Sequence, residues 1–584
     1  MKKMHPIVWA ILCLPVVYFA MVTASVYIPG ENIFALLERI STMVRRPDLL
    51  RWTAYTPRFL LVFLLLYGGG VLLYYADHEN RRPGEEYGSA KWGNARELNK
   101  QYADRDGKNV ILTKRVSIGL DGYKHRRNLN ILVVGGSGSG KTRFFCKPGI
   151  MSVNCSYLII DPKGEMLRST GYLLKDEGYD IKVFDLIHPR QSDGYNPFTY
   201  IRDDPDVLKL MDNLVKNTTP PKGASNDPFW EKAEIALDSA LMLYLLYEAP
   251  VEEQNFEMLM FMLECARVME EDEQYQSPLD LLFQTLEERD PSHIAVREYK
   301  VYKQAAGKTA KSILVTASVR LAAFIFPQYA AMMQTDEMDF PSLGERKRAI
   351  FCVIPVNDGS MNYLVSMLLT QCFQQLYLRA DERYNGRLPV PVRVIQDEWA
   401  NVAQPDSYPK VLATCRSYNI GINIIVQNIQ SIKALYKDEW EGIIGNCDTL
   451  LFLGGGNEPT SLEFVSKLLG KETVHTRTRG QTKGRSGSSS VNYQQTGRDL
   501  MTPDEIRMLP ADDALLFIRG EKPVRDEKYD IKKHPNVRRT ADGRAKPYSH
   551  NPPVPDYTLP DLPYEFRTLD DYTFLEDEHE IEET

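Results

Sequence analysis

The segment NLNILVVGGSGSGKTRFF (Asn128–Phe145) constrains this chain more than any other. Ile131–Val134 read as a buried strand, a glycine-rich stretch follows, and Lys141 and Thr142 open a helix. Gly135, Gly140, Lys141 and Thr142 fall on the spacing G-x-x-x-x-G-K-[ST]. The chemistry demands those residue types. Glycines let backbone N–H groups curl around phosphate oxygens, and the N-terminus of the next helix adds positive potential. Gly135, Gly136, Ser137, Gly138, Ser139 and Gly140 would make the cradle, Lys141 would reach the β- and γ-phosphates, and Thr142 would ligate Mg2+. The expected ligands are therefore ATP and Mg2+.

Such a loop needs a second half: an apolar strand ending in acid. PVRVIQDEWANVA (Pro391–Ala403) supplies it, with Asp397 to hold Mg2+ through water and Glu398 to activate the attacking water. The competing reading is a surface strand ending in a solvated acidic turn. A paired Asp-Glu points to hydrolysis. The stretch TCRSYNIGINIIVQN (Thr414–Asn428) adds a further strand with polar groups at both ends. The C-terminal ends of parallel strands form the ligand edge of a sheet. Gln427 is thus expected near Asp397 and Glu398, to sense the γ-phosphate or position water, or simply to hydrogen-bond at a strand end. Arg416 precedes the strand and is expected on the opposite rim. There it would act on a neighbouring subunit's nucleotide in a ring, or form a surface salt bridge.

Beyond the glycine loop, YLIIDPKGE, a helical stretch and YDIKVFDL give strand–helix–strand, the pattern of a doubly wound parallel sheet. Helical periodicity takes over from about Asp203 to Phe326, and strands resume at RAIFCVIP. Near the N-terminus, apolar runs at about 7–28 and 59–75 have the length to form a two-helix membrane hairpin. A cleaved signal is the alternative for the first run, but it exceeds the usual signal core and a second run follows. The connecting loop carries Arg39, Arg45, Arg46, Arg51 and Arg58, against the positive-inside expectation. A need for ATP would place both termini in the cytoplasm.

A net charge of −8 does not advertise nucleic acid, although a ring can concentrate basic groups on an inner surface. The eight cysteines include no C-x-x-C pair and read as reduced thiols; no zinc spacing is present. Thr476–Arg498 is basic and Gly/Ser-rich, a flexible loop that would contact phosphates through Arg477, Arg479, Lys483 and Arg485 or merely cover the surface. The tail Asp570–Thr584 is acidic. It would be solvated, bind basic substrate proteins, or keep DNA off an idle motor.

Several motifs in order resemble the type IV coupling proteins of conjugative transfer (TraG/TraD-type), within the ring-forming P-loop translocases. YGSAKWGNARELNK (Tyr87–Lys100), LIIDPKGEM (Leu158–Met166), GYNPF (Gly194–Phe198), Tyr436–Gly470 and RDLMTPDEIRMLP (Arg498–Pro510) carry that resemblance, from the hairpin to about Asp530. It implies a RecA-like α/β core with a mainly parallel sheet, an all-α inserted domain and a two-helix transmembrane stem in the cell membrane. It also implies a homo-hexamer that moves relaxase–DNA complexes and single-stranded DNA to a type IV secretion channel. On that resemblance Lys141, Thr142, Asp397, Glu398, Arg416 and Gln427 fall on the family's nucleotide-site positions. The expected organisation is a hairpin over 1–80, a first core part over 81–202 and the insertion over 203–330. A second core part over 331–540 would hold the flexible loop 476–498, and a largely disordered tail would fill 541–584. The insertion would meet substrate and DNA-processing partners or act as a structural cap. Two alternatives stand. A double-stranded DNA pump for segregation typically has more spans and a C-terminal winged helix. A membrane receptor for secreted proteins would use ATP only to assemble.

Overall fold

Short, almost wholly apolar runs such as IGINIIV bury both of their faces, which is the pattern of parallel strands covered by helices. The computed structural model describes residues 6–76, 84–219, 229–268, 275–305, 307–402, 404–405, 408–481 and 489–550. Its strands are β1 (Asn109–Ile111), β2 (Ser117–Gly119), β3 (Ile131–Val134), β4 (Ser156–Pro162), β5 (Asp180–Asp185), β6 (Arg348–Ile354), β7 (Val392–Gln396), β8 (Ile420–Val426), β9 (Thr449–Phe452), β10 (Lys471–Gln481), β11 (Ser489–Asp499), β12 (Asp513–Ile518) and β13 (Val524–Glu527). One sheet takes the order β13-β12-β9-β3-β8-β7-β4-β6-β5. Its strands from β9 to β5 are parallel, and β12 and β13 close one edge antiparallel. Every residue of β3, β6, β7 and β8 is buried.

This order places the site. The chain leaves β3, crosses over β8 and β7 to β4, and later returns through β7 and β8 to the other side of β3. The C-terminal ends of β7, β8 and β3 therefore lie side by side, at the crevice where open α/β sheets take ligands.

Helices between Asp204–Thr218 and Pro327–Met332 form the expected helical stretch, started by side-chain caps such as Asp203, Asn255 and the Ser277–Asp280 capping box. They enclose no separate core. Leu237, Leu241 and Met260 belong to the same buried cluster as Leu132 and Val134 of β3 and Leu158 of β4. The helix Asn362–Arg383 continues that cluster with Leu364, Leu368 and Leu376.

By their contacts the residues divide into Ala90–Lys471 with Asp499–Thr584, which hold the sheet, and Met1–Ser89 with Glu472–Arg498. In the latter, Ile7–Val26 and Thr56–Tyr74 are long and apolar enough to cross a membrane. They run antiparallel: the Tyr67 hydroxyl donates to Trp9 O at 2.6 Å and the Thr53 hydroxyl to Ala24 O at 3.0 Å. Their connection, expected to be a loop, contains a helix over Ile33–Met43 capped by Asn32, and Arg39 there pairs with Glu31.

Two sequence expectations change. Thr476–Arg498 contributes to β10 and β11, which pair as a two-stranded sheet, with the Thr476 hydroxyl donating to Gln494 O at 2.9 Å. The segment is too polar to be buried, but backbone pairing needs no burial, and its Thr, Val and Tyr residues suit extended backbone. Lys483 and Arg485 lie outside the described residues.

The other change is at the C-terminus: the tail does not begin at residue 541. The strap from Lys528 to His550 packs along the helices behind the glycine loop. Ile531 packs on Met151 and Leu173, Asn536 donates to Met151 O at 2.9 Å, and Asp542 accepts from Ser169 at 2.5 Å. Tyr548 meets Tyr172 edge-on at 5.0 Å and His550 lies 2.9 Å from Asp193. Residues 551–584, with the acidic stretch, lie outside the described residues.

Candidate active site

The loop after β3 is built by its neighbours as much as by its own glycines. Gly135 N–H donates to Val426 O at the end of β8 (3.2 Å), and Gly136 N–H donates to Gly454 O after β9 (3.0 Å). A Cβ on Gly136 would stand 2.1 Å from the Gly455 carbonyl oxygen, so this position tolerates no side chain. Gly138 and Gly140 have φ of +78° and +83°, a backbone that L side chains rarely adopt. The Lys141 ammonium is buried and folds back to Gly135 O (2.8 Å) and Gly136 O (3.3 Å), inside the curl of the loop. Thr142 opens a π-helical turn to Cys146, in which the Lys147 N–H donates to Thr142 O.

Across from the loop, the Thr142 hydroxyl donates to Asp397 Oδ2 at 2.6 Å. Asp397 is buried, and burial pushes its carboxyl above the usual range; the Thr142 hydrogen bond and the charge on Lys141 oppose that shift. Its other oxygen accepts the N–H of Glu398 at 3.1 Å. Glu398 has φ +54°, a left-handed backbone that costs a non-glycine residue about 1–3 kcal/mol. That turn directs its half-buried carboxylate toward β8, where the Gln427 amide donates to both oxygens at 3.2 Å. Thr142, Asp397, Glu398 and Gln427 thus form one hydrogen-bonded cluster on the C-terminal edge, with the Lys141 charge acting on Asp397. A Thr hydroxyl and a carboxylate are hard oxygen donors of the kind Mg2+ takes.

Arg416 is elsewhere. It precedes β8, a strand of seven residues that spans about 23 Å, and so lies on the opposite rim. Its Nη2 donates to Gly122 O at 3.0 Å and its guanidinium sits 5.5 Å from the Tyr123 ring centroid. Arg387 stacks on the same ring at 4.5 Å. Among the described residues the buried Nε of Arg416 has no partner and no carboxylate pairs with this arginine.

Sequence reasoning missed several members of the site. Asp161 ends β4 as Asp397 ends β7, so the same signal of an acid closing an apolar strand was present in LIIDPKGE. Fully buried, it accepts the N–H groups of Met166 (3.1 Å) and Leu167 (2.7 Å) and so holds the start of helix Glu165–Asp176. Burial, with the nearby Asp397 adding to it, pushes its carboxyl up to about 7 against those two hydrogen bonds. Buried Lys147 pairs with Glu165 (2.7 Å) and Asp542 (3.1 Å). Gly454, Gly455 and Lys528 touch the loop through the fold alone, and no local signal marks them.

Comparison with known proteins now decides the family. A family model described as type IV secretory system conjugative DNA transfer matches residues 86–539. The chain belongs to this family. Relatives within it include protein VirD4 of Rhizobium rhizogenes, 20% identical over 406 residues, covering 68% of this chain and 57% of that protein. Another is the conjugal transfer protein TraG of Escherichia coli, 24% identical over 412 residues, covering 66% of this chain and 62% of that one. The chain thus spans less than two thirds of the length of these relatives. The fold is that of the bacterial conjugative coupling protein TrwBdeltaN70 in its unbound form. That match has a TM-score of 0.57 and 17% identity, and covers 78% of this chain and 96% of that one. Plasmid coupling protein TrwB in complex with ADP and Mg2+ matches with a TM-score of 0.56 and 15% identity, over 77% and 95% of the two chains.

Proposed function

We propose that this chain is a membrane-anchored, ATP-driven motor that couples a relaxase–DNA complex to a type IV secretion channel during conjugative transfer. The observation that carries the reading is the connected cluster in which Thr142 bonds Asp397 while Gln427 holds Glu398. Family membership and the TrwB-like fold support the transfer role.

In this reading the loop N–H groups and Lys141 bind the phosphates of ATP, and Lys141 exchanges its two loop carbonyls for phosphate oxygens. Thr142 and Asp397 would hold Mg2+, which would supply positive charge against the phosphates. Glu398 takes the proton of the attacking water, and Gln427 keeps that carboxylate aimed at the γ-phosphate side. Arg416 completes the site of the neighbouring subunit in a hexamer, placing its guanidinium on charge that develops during transfer. An arginine without a carboxylate partner among the described residues suits that task. The two apolar helices anchor the chain in the cell membrane, with both termini and the nucleotide site on the cytoplasmic side. Single-stranded DNA and the secretion channel are the partners.

The test is ATP turnover by the full-length protein in lipid vesicles, with and without single-stranded DNA. Stimulation by single strands supports the coupling motor. Stimulation by duplex alone favours a segregation pump, and hydrolysis indifferent to DNA favours a protein-docking receptor.

A further inference from the structure

A buried ammonium with no carboxylate partner among the described residues needs a reason to be there. Lys528 follows the edge strand β13 and is 8% exposed. Its backbone N–H is tied to Asp512 O at 2.7 Å. From there the side chain crosses to the glycine loop. Its Nζ donates to Ser139 O at 3.0 Å and lies 5.4 Å from the ring centroid of Phe144. The same ring covers Gly140, where a Cβ would stand 2.4 Å from it. Burial lowers the pKa of this lysine, with Asp512 and Asp513 opposing that shift from a distance.

The peptide plane gives this contact a direction. In a trans peptide the carbonyl of one residue and the N–H of the next point to opposite sides. A cation that holds the Ser139 carbonyl on the outside of the loop therefore turns the Gly140 N–H to the inside. That N–H donates to no backbone carbonyl among the described turns and loops. It stands directly before Lys141, and with φ +83° at Gly140 the chain here can rotate easily unless something pins it.

We propose that Lys528 is a positioning residue for the phosphate loop: by holding the Ser139 carbonyl outward it aims the Gly140 N–H into the phosphate cradle. This rests on the reading of Gly135–Thr142 as a nucleotide site. Lys528 touches the loop and not the phosphates, so its removal weakens phosphate binding more than the chemical step.

The experiment measures Mg·ADP affinity, together with KM and kcat for ATP, in full-length wild type, Lys528→Met, Lys528→Arg and Ile531→Ala. Met keeps the length and apolar stem without the charge; Ile531→Ala loosens the strap beyond the loop contact. A charged hydrogen bond of this kind is expected to be worth about tenfold in affinity. Lys528→Met should bind Mg·ADP about tenfold more weakly with kcat within about twofold of wild type, and Lys528→Arg should restore binding. Wild-type affinity should fall as pH rises through the lowered pKa of Lys528, while Lys528→Arg, which stays charged, should lose that dependence. Equal affinity in Lys528→Met and wild type overturns the proposal. So does an equal loss in Ile531→Ala, or a pH profile unchanged by Lys528→Arg. A wild type that binds no Mg·ADP overturns the nucleotide site itself, and this role with it.

Discussion

The two rims of one sheet treat their charged residues in opposite ways. On the C-terminal rim, Thr142, Asp397, Glu398 and Gln427 satisfy one another through hydrogen bonds of 2.6–3.2 Å, and Lys141 is satisfied by the loop carbonyls of Gly135 and Gly136. On the N-terminal rim, Arg416 is held by a carbonyl and an aromatic ring, and its charge is left without a counter-ion among the described residues. A cluster that satisfies itself can wait for ligand with its polar groups already bonded. A half-buried cation held in place without a counter-ion among the described residues suits an anion brought from outside the chain. On the proposed function, the contrast separates groups that act within one subunit from a group that acts on its neighbour.

The strongest way to break this comparison is at Arg416. Arg416→Ala should lower ATP turnover by about a thousandfold with Mg·ADP affinity unchanged, the size expected of a trans-acting arginine. Mixing it with Glu398→Gln subunits should recover activity, because some interfaces then pair an intact Glu398 with an intact Arg416. No recovery on mixing, or a loss of nucleotide affinity, would return Arg416 to a structural role.

Glu398→Gln, on the other rim, should cost about 10²–10⁴-fold in kcat and leave nucleotide binding intact, read by turnover beside ADP titration. Turnover equal to wild type would remove the base assignment. A smaller effect is expected at Gln427. Gln427→Ala frees the Glu398 carboxylate to rotate and should reduce kcat about tenfold without changing KM. A rise in KM alone would instead make Gln427 a contact to bound nucleotide.

The smallest effect concerns stability. Burial raises Asp161 from 3.8 to about 7. An acid raised in the folded state binds more protons folded than unfolded, so its contribution is full below about pH 4 and is lost as pH climbs through about 7. Asp161→Asn keeps an acceptor for one of the two N–H groups, of Met166 or Leu167, but cannot ionise. Melting temperatures at pH 5 and pH 8 should therefore show wild type losing ground to the variant at the higher pH. Parallel curves would mean that Asp161 stays ionised throughout.

Much of the nucleotide site was legible because its signals are local. A glycine loop after an apolar strand, and an acid ending another, are short-range consequences of phosphate binding and of burying a strand on both faces. Arg416 and Gln427 were legible on opposite rims because one precedes and the other follows the same apolar strand. The polar ribbon of β10 and β11 was read as a loop because polarity was taken for the absence of structure, although strand pairing satisfies backbone groups without burial.

What the sequence determined by itself was the chemistry: which residues can meet phosphate, metal and water, and which runs must be buried. The strand order was decided by tertiary structure, because an apolar strand is equally content beside any other. That order brings Gln427 to Glu398 across 29 positions and Lys528 to Ser139 across 389. It also sets Gly455 against Gly136, and draws residues 541–550 onto the core through contacts at Ser169 and Tyr172. Hydrogen bonds and close packing are short-ranged, so only the folded path of the chain chooses which distant groups come within their reach.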